Sequence, residues 1–252
     1  MVTIKYKGRL GNNLIQYAAG YILAKRTGLA LDVNLSRKYR DPGNDVQIFT
    51  DFGSVFKIQP PTGNFHTNII ELNDSNYYKH LNNPKTDTGY ELNGFFQDGR
   101  LLCDYRDEIL DLYQYERDPV KNISKDDAFI ACRFGDCLKL PLTYCSIEYI
   151  EGQLKNNRHN YKNVHLTSDS LDYPPLVELM EKYNIIPYNN NPLGTILFAQ
   201  NFNNLILSAG SFNYWMAYLS AAYNITVYGK VTKDSLQRKN AWDYNKNVKF
   251  SL

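Results

Sequence analysis

"AFIACRF", residues 128–134, is an apolar run with the length and composition of a buried strand, and it carries an arginine near its end. Runs of the same kind return at "VHLTSD" (164–169) and "LILSAG" (205–210). Segments with apolar residues at helical spacing lie between these runs, most clearly over 174–183. Short apolar strands that alternate with helices are typical of a parallel sheet covered on both faces. The second half of the chain is therefore predicted to be a Rossmann-like α/β unit.

The first half of the chain begins in the same way and then loses its periodicity. "VTIKY" (2–6) has the pattern of a strand, and apolar residues at helical spacing predict an amphipathic helix over 13–27 that Gly28 ends. Residues 36–90 are polar and contain several prolines, so loops and short elements are expected there. A strand pattern returns at "YELNGFFQ" (90–97).

A charged stretch, "YERDPVKNISKDD" (115–127), separates the two halves and is predicted to be a linker. We expect an N-terminal α/β domain over 1–120 and a C-terminal Rossmann-like domain over 121–234. The tail, residues 235–252, is a candidate to complete the first domain. Two α/β domains joined in this way imply a cleft between them.

The composition excludes several classes of function. A net charge of +2 over 252 residues does not call for nucleic acid or an anionic membrane as partner. No apolar run is long enough to cross a bilayer, and the first ten residues lack the apolar core of a signal peptide, so a cytoplasmic protein is expected. Four cysteines without a CxxC pair indicate reduced packing residues rather than a disulfide scaffold or a zinc site.

Ligands of parallel α/β sheets bind beyond the carboxyl ends of the strands, where helix amino termini present free N–H groups. The first candidate there is "GRLGNN" (8–13), which joins a strand to a helix. Its glycines allow a close approach of the backbone to a ligand, which makes Gly11, Asn12 and Asn13 candidate binding residues. The alternative is a glycine turn with asparagine helix caps. The pattern is neither GxGxxG nor a P-loop, so a dinucleotide-binding dehydrogenase is not supported.

The second candidate follows the strand at 128–134 and contains Arg133, Gly135 and Asp136. An arginine at a strand end has the planar fork that binds a phosphate through two parallel hydrogen bonds. A surface salt bridge is the alternative interpretation.

The third candidate combines the ends of two further strands. Ser168 and Asp169 close one of them, and the carboxylate of Asp169 is suited to accept from two adjacent N–H groups such as a base edge. Gly210, Ser211 and Phe212 form the mouth of a helix, which is suited to a phosphate. Alternatively, Ser211 is a helix cap and Phe212 belongs to the core with Trp215, Met216 and Leu219.

These segments resemble the motifs of the α-1,2-fucosyltransferase family, in the order in which that family has them. The similar segments are "GRLGNNLIQYAAGYILAKRTG" (8–28), "NGFFQDGRLL" (93–102), "ACRFGDCL" (131–138), "SDS" (168–170) and "ILSAGSFNYWMAYL" (206–219). The resemblance implies a GT-B-like fold with GDP-fucose as donor, a glycan as acceptor, no required metal or other cofactor, and inversion at the anomeric carbon of the sugar.

Within that resemblance each candidate has a hypothetical role. Arg133 meets the charge of the departing diphosphate, with Ser211 and the backbone amides of 210–212, and Asp169 holds the guanine edge. Asn12, and with it Asn13, reaches toward the diphosphate or the departing oxygen. Asp136 is the nearest carboxylate to act as general base, and a structural hydrogen bond is the alternative for it.

The chain departs from the family pattern at several positions. Ala131 and Phe134 stand where the HxRRxD-type motif has histidine and its second arginine. Ala209 and Gly210 replace an Asn-Ser pair, and Tyr214 replaces the first tryptophan of a Ser-Phe-x-Trp-Trp block. Three alternatives therefore stay open: a transferase with another sugar-nucleotide donor, a catalytically silent glycan- or nucleotide-binding protein, and an α/β domain without a nucleotide.

Acceptor contacts are expected in the irregular region 36–90, because aromatic faces stack on sugar rings. The candidates there are Tyr77, Tyr78, His66 and His80. A solvated loop is the alternative for this region.

Overall fold

The computed structural model describes residues 1–32, 61–85, 87–113, 123–135, 145–228 and 248–251. The chain forms two compact units, Met1–Glu116 and Arg117–Leu252. Each unit contains a parallel sheet, and helices lie between successive strands where the structure describes the connection. The predicted α/β fold with Rossmann-like strand-helix units is therefore confirmed. No helix in the described ranges is long and apolar enough to cross a membrane.

The first unit is built on a four-stranded sheet in the order β2-β1-β4-β3, with every neighbouring pair parallel. Its strands are β1 (Val2–Ile4), β2 (Leu31–Asp32), β3 (Ile69–Leu72) and β4 (Gly89–Leu92). Its described helices are α1 (Leu10–Thr27), α2 (Tyr77–Asn82), α3 (Gly99–Asp104) and α4 (Arg106–Leu112).

Helix α1 begins three residues earlier than the apolar pattern predicts and ends where it predicts. Gly28 adopts the left-handed conformation at φ +68° after its last turn, and its N–H donates to the carbonyl of Ala24. Lys25 and Arg26 in the last turn complement the helix dipole. The helix also packs closely on β1, since a Cβ at Gly20 would lie 2.6 Å from the side chain of Ile4.

The second unit is built on a six-stranded parallel sheet in the order β10-β9-β8-β5-β6-β7. Its strands are β5 (Ala128–Cys132), β6 (Val164–Ser168), β7 (Ile186–Pro187), β8 (Asn204–Leu207), β9 (Asn224–Tyr228) and β10 (Val248–Ser251). Its described helices are α5 (Ile147–Asn157), a 3₁₀ turn (Arg158–Asn160), α6 (Pro174–Tyr183), α7 (Pro192–Ala199) and α8 (Ser211–Tyr218).

Both faces of this sheet carry packed side chains. Ile130 and Cys132 on β5 share an apolar cluster with residues of α5 and α6, such as Leu154 and Leu176. Phe129, on the opposite face of the strand, contacts Phe198 of α7 with ring centroids 5.4 Å apart. Burial on both faces explains the continuous apolar composition of β5.

The described part of the carboxyl-terminal tail differs from the prediction. β10 pairs in parallel with β9 and so extends the sheet of the second unit, not that of the first. The remainder of the tail, 235–247, lies outside the described residues.

Candidate functional site

The second sheet reverses its direction of winding between β5 and β8. Counted along the chain within this unit, the strand order is 3-2-1-4-5-6, and the first and fourth strands are the neighbours β5 and β8. In open parallel sheets this switch point is where ligands bind, beyond the carboxyl ends of the strands. Arg133 follows β5 and Gly210–Ser211 follow β8, so both predicted binding segments leave the sheet at its switch point.

A carboxylate from the neighbouring strand holds the turn that carries Arg133. The backbone N–H groups of Phe134 and Gly135 donate to Asp169 Oδ1 at 2.8 and 3.0 Å. Arg133 Nε lies 3.8 Å from Asp169 Oδ2, and both side chains are about one-third exposed, at 34% and 32%. We call this arrangement of Asp169 around residues 133–135 the second-unit clamp.

The clamp limits what Asp169 can do for a base. A carboxylate oxygen has two acceptor sites, and those of Oδ1 are taken by the two backbone amides. Two adjacent N–H groups of a guanine edge would therefore compete with the clamp or share Oδ2. The clamp also explains Gly135, because a Cβ there would lie 2.7 Å from Asp169 Oδ2.

Ser168 lies in the same region in a supporting position. Its Oγ accepts from the backbone N–H of Ser170 at 3.1 Å, which orders the turn after β6. The neighbouring thiol of Cys132 is buried, and this burial raises its pKa to about 12. The cysteines that the structure describes, Cys103, Cys132 and Cys145, are not in disulfide bonds.

The segment after β8 is fixed by an amide that the sequence did not single out. Asn213 is buried, and its Nδ2 donates to the carbonyls of Ala131 and Ser208 at 3.2 and 3.0 Å. This amide connects the carboxyl ends of β5 and β8. An asparagine inside an otherwise apolar helical pattern was the only signal of this role.

Gly210 presents the amino terminus of α8 to open space. It is the N-cap residue, with φ +132°, a conformation that only glycine adopts readily, and a Cβ there would meet no atom within 4 Å. Ser211 is the first helical residue, so the alternative that made it the cap is wrong. Phe212 is half-buried, whereas Trp215 and Met216 are in the core as expected.

Four of the five departures from the family pattern are packing positions, and Gly210 at the start of α8 is the exception. Phe134 is buried with its ring 5.2 Å from that of Tyr173, and Tyr214 is buried and stacked on Tyr218. Ala131 and Ala209 are buried as well. These substitutions change the interior of the unit and leave Arg133 at the sheet edge.

In the first unit, the two adjacent asparagines of "GRLGNN" have different surroundings. Asn13 is 2% exposed, and its Nδ2 donates to the carbonyl of Lys7 and to Gln16 Oε1 at 3.1 and 3.2 Å. That Asn13 contacts a nucleotide sugar stays a prediction, and its Nδ2 is engaged inside the fold on the loop before α1. Both asparagines and the buried Gly11 lie within α1, and Arg9 is the N-cap, so the cap interpretation is wrong.

Asn12 is half-buried, with one hydrogen bond to Gln97 and close packing on Gly8. Its Oδ1 accepts from Gln97 Nε2 at 2.7 Å. On the other side lies Gly8, which has φ +73° and where a Cβ would come within 2.3 Å of Asn12 Nδ2. Glycine at position 8 thus makes room for this side chain.

In the loop after β4, as in the second-unit clamp, an aspartate carboxylate accepts hydrogen bonds from two successive backbone N–H groups. The carboxylate of Asp74, which follows β3, accepts from the backbone N–H of Phe95 at 3.0 Å and from that of Phe96. A Cβ at Gly94 would lie 2.6 Å from Asp74 Oδ2. We call this the first-unit clamp. Sequence reasoning missed Asp74, because loops and short elements were expected over 36–90 and β3 was not predicted.

The first-unit clamp follows a central strand of its sheet. β1 and β4 are neighbours in the middle of the first sheet, and Gln97 and Asn12 follow their carboxyl ends. The buried amide of Gln16 connects the two segments, because its Nε2 donates to the carbonyl of Gly94 at 2.9 Å and its Oε1 accepts from the N–H of Lys7.

The four aromatic candidates for acceptor contacts have different surroundings in the structure. Tyr77 is a core residue whose hydroxyl donates to the carbonyl of Ala19 at 2.8 Å, so neither an acceptor contact nor a solvated loop describes it. The ring of Tyr78 is covered by the guanidinium of Arg100 at 4.0 Å. His80 packs on Tyr90, and burial lowers its pKa. His66 is half-buried.

Two remaining points concern the general base and possible metal ligands. Asp136 lies outside the described residues, so its assignment as general base stays a prediction. In the part of the chain that the structure describes, no three His, Cys, Asp or Glu side chains cluster as a metal site would require.

Comparison with known proteins agrees with the resemblance seen in the motifs. No curated protein matches the chain significantly. The sequence profile described as glycosyl transferase family 11 matches residues 1–248, which is nearly the whole chain and includes strands β1 to β9. The chain therefore belongs to glycosyl transferase family 11, the α-1,2-fucosyltransferase family, and is a glycosyltransferase.

Proposed function

We propose that this glycosyltransferase moves fucose from GDP-fucose to a hydroxyl of a glycan acceptor. The linkage is α-1,2, the anomeric configuration is inverted, and no metal is required. The observation that carries this proposal is the placement of Arg133 and the open amino terminus of α8 at the switch point of the second sheet. A cation and the N–H groups of a helix amino terminus at that edge are suited to the diphosphate of a sugar nucleotide.

The reaction breaks the bond between the anomeric carbon and the diphosphate oxygen, and the bonding electrons leave with GDP. The acceptor hydroxyl forms the new bond from the opposite face and loses its proton. Arg133 stabilises the charge that grows on the diphosphate, helped by Ser211 and the N–H groups at the start of α8. Because the second-unit clamp fixes the Arg133 turn in advance, little reorganisation is needed during the reaction.

The other roles follow from the same proposal. Asp136 takes the proton from the acceptor, and Asn12 assists at the diphosphate or at the departing oxygen. Asp169 contributes to donor binding through the turn that it clamps, and recognition of guanine through Oδ2 is the competing role.

The family departures keep a different donor as the second candidate, since Ala131 and Phe134 replace polar groups of the motif. A thermal-shift panel of GDP, UDP, ADP and dTDP separates the two candidates. A ligand that binds only the folded protein raises its melting temperature with occupancy, so GDP alone is expected to do so. Stabilisation by another nucleotide instead would replace GDP-fucose as donor.

Assays with GDP-fucose then test the chemistry. We expect transfer to members of a glycan array, activity that persists with a chelator present, and a product with the opposite anomeric configuration by NMR. GDP binding without transfer to any glycan and without hydrolysis of GDP-fucose would instead indicate a catalytically silent binding protein.

A further inference from the structure

The loop after β4 holds an aromatic side chain outward on a rigid support. Phe95 is 42% exposed, while Phe96, the next residue, is almost completely buried with its ring 5.1 Å from that of Tyr77. The two backbone amides of these residues are the ones that Asp74 binds. One phenylalanine therefore anchors the loop and the other is displayed.

This display has a conformational cost. Phe96 has φ +53°, a left-handed conformation that is unfavourable for a bulky side chain. The charge-assisted hydrogen bonds from Asp74 and the burial of the Phe96 ring maintain it. Backbone strain that the surroundings enforce in this way concentrates at binding and active sites, so the strained turn points to a function for the residue that it displays.

The five residues that follow Phe95 in the chain carry no net charge together, and the charge of the Asp74 carboxylate is directed at the backbone amides of Phe95 and Phe96. Gln97, two residues further on, donates its amide to Asn12 Oδ1, which fixes both side chains. Asp98 and Arg100 neutralise each other through a 2.7 Å ion pair. An exposed apolar ring, with a hydrogen-bonded amide two residues further along the chain, is suited to a neutral ligand that has both C–H faces and hydroxyl groups. A pyranose ring has these properties, whereas a diphosphate does not.

We propose that Phe95 is the stacking platform for a pyranose ring of the acceptor glycan, with Gln97 as the amide that orients it. This inference rests on the proposed function, because it names the part of the first unit that takes the acceptor. Phe95 is a binding residue in this scheme, and Asp74 is a positioning residue that acts through the loop.

Steady-state kinetics of Phe95→Ala test the platform. Loss of an aromatic anchor is expected to raise the acceptor KM about tenfold, with kcat and the affinity for GDP close to the parent values. Phe95→Trp retains a ring and is expected to restore the KM. Phe65→Ala is the matched control, because Phe65 is 71% exposed and lies outside the clamped loop.

An unchanged acceptor KM in Phe95→Ala would overturn the inference, as would an equal rise in Phe65→Ala. A loss of GDP affinity in Phe95→Ala would overturn it as well, because the ring would then belong to donor binding. Folding is monitored by the melting temperature and by GDP binding, and the Phe95→Trp variant keeps the test decisive if the alanine variant unfolds.

A binding experiment separates this inference from the proposed function. Saturation-transfer NMR with methyl glycosides of galactose, glucose, mannose and N-acetylglucosamine does not require transfer. Phe95-dependent binding by a protein that transfers no fucose would support the platform and contradict the proposed reaction. Fucose transfer that does not depend on Phe95 would support the proposed reaction and contradict the platform. The absence of both glycoside binding and fucose transfer would overturn both proposals.

Discussion

The loops after β4 and β5 are built alike and display different side chains. In each, an aspartate that follows the neighbouring strand accepts hydrogen bonds from two successive backbone amides. In each, a glycine leaves room for that carboxylate, Gly94 in the first unit and Gly135 in the second. Each loop leaves a central strand of its sheet, and the one after β5 does so at the switch point.

The difference lies in what the two clamps present. The second-unit clamp presents the guanidinium of Arg133, and the first-unit clamp presents the ring of Phe95 with the amide of Gln97 two residues further on. A similar backbone device thus supports a cation in one unit and an uncharged surface in the other. Each clamp holds a backbone turn in place, and we propose that the displayed side chain decides between an anionic and a neutral ligand.

The largest effect is expected for the displayed cation. Arg133→Ala removes a preorganised donor to the leaving diphosphate and is expected to lower the transfer rate about a hundred- to a thousandfold. Arg133→Lys retains the charge without the planar fork and is expected to recover part of the rate. The measurement is kcat with saturating acceptor. A near-normal rate in Arg133→Ala would remove the basis for assigning the diphosphate to the second unit.

The second prediction concerns the clamp below that cation. Asp169→Ala releases the turn of Arg133 and is expected to weaken GDP binding about ten- to a hundredfold, as lost charge-assisted hydrogen bonds do. Guanosine, which has no phosphate, is expected to bind both proteins equally in calorimetry. If guanosine affinity falls as far as GDP affinity, Asp169 reads the base, as its sequence position suggested.

A matched pair of glycine variants tests whether the clamps act separately. Gly135→Ala and Gly94→Ala each place a Cβ within 2.7 Å of the clamping carboxylate of their own unit. The carboxylate has to shift, so Gly135→Ala is expected to weaken GDP binding several-fold and Gly94→Ala to raise the acceptor KM several-fold. Gly152→Ala, where a Cβ meets nothing within 4 Å, is the control. An effect of either variant on the other substrate would contradict separate sites.

The smallest effect is expected from pH. Burial against Phe198 and Phe202 lowers the pKa of His165 below its ordinary value near 6.5. The unfolded chain therefore binds a proton more readily than the folded one, and the free energy of unfolding falls as the pH drops through the unfolded pKa. His165→Phe is expected to show a smaller loss of melting temperature between about pH 7.5 and pH 5.5 than the parent. An identical loss would show that this histidine does not contribute.

The strands and helices could be predicted from the sequence because buried positions recur at the period of the local secondary structure. The apolar run of β5 and the helical spacing over Pro174–Tyr183 predicted these elements, and α6 has the predicted bounds. The segments at the carboxyl ends of the strands followed, because parallel strands present these ends at one edge. Arg133, Gly210 and Ser211 were located in this way, and the family motifs pointed to the same residues.

Only the tertiary structure decided which polar side chains form hydrogen bonds within the protein. Asp169 meets the amide of Phe134 across 35 positions of the chain, and Asp74 meets that of Phe96 across 22. Asn12 and Asn13 are identical in the sequence pattern, yet one is buried on Lys7 and the other holds Gln97. Hydrogen bonds of this kind depend on how neighbouring strands and loops pack, and local periodicity carries no record of that packing.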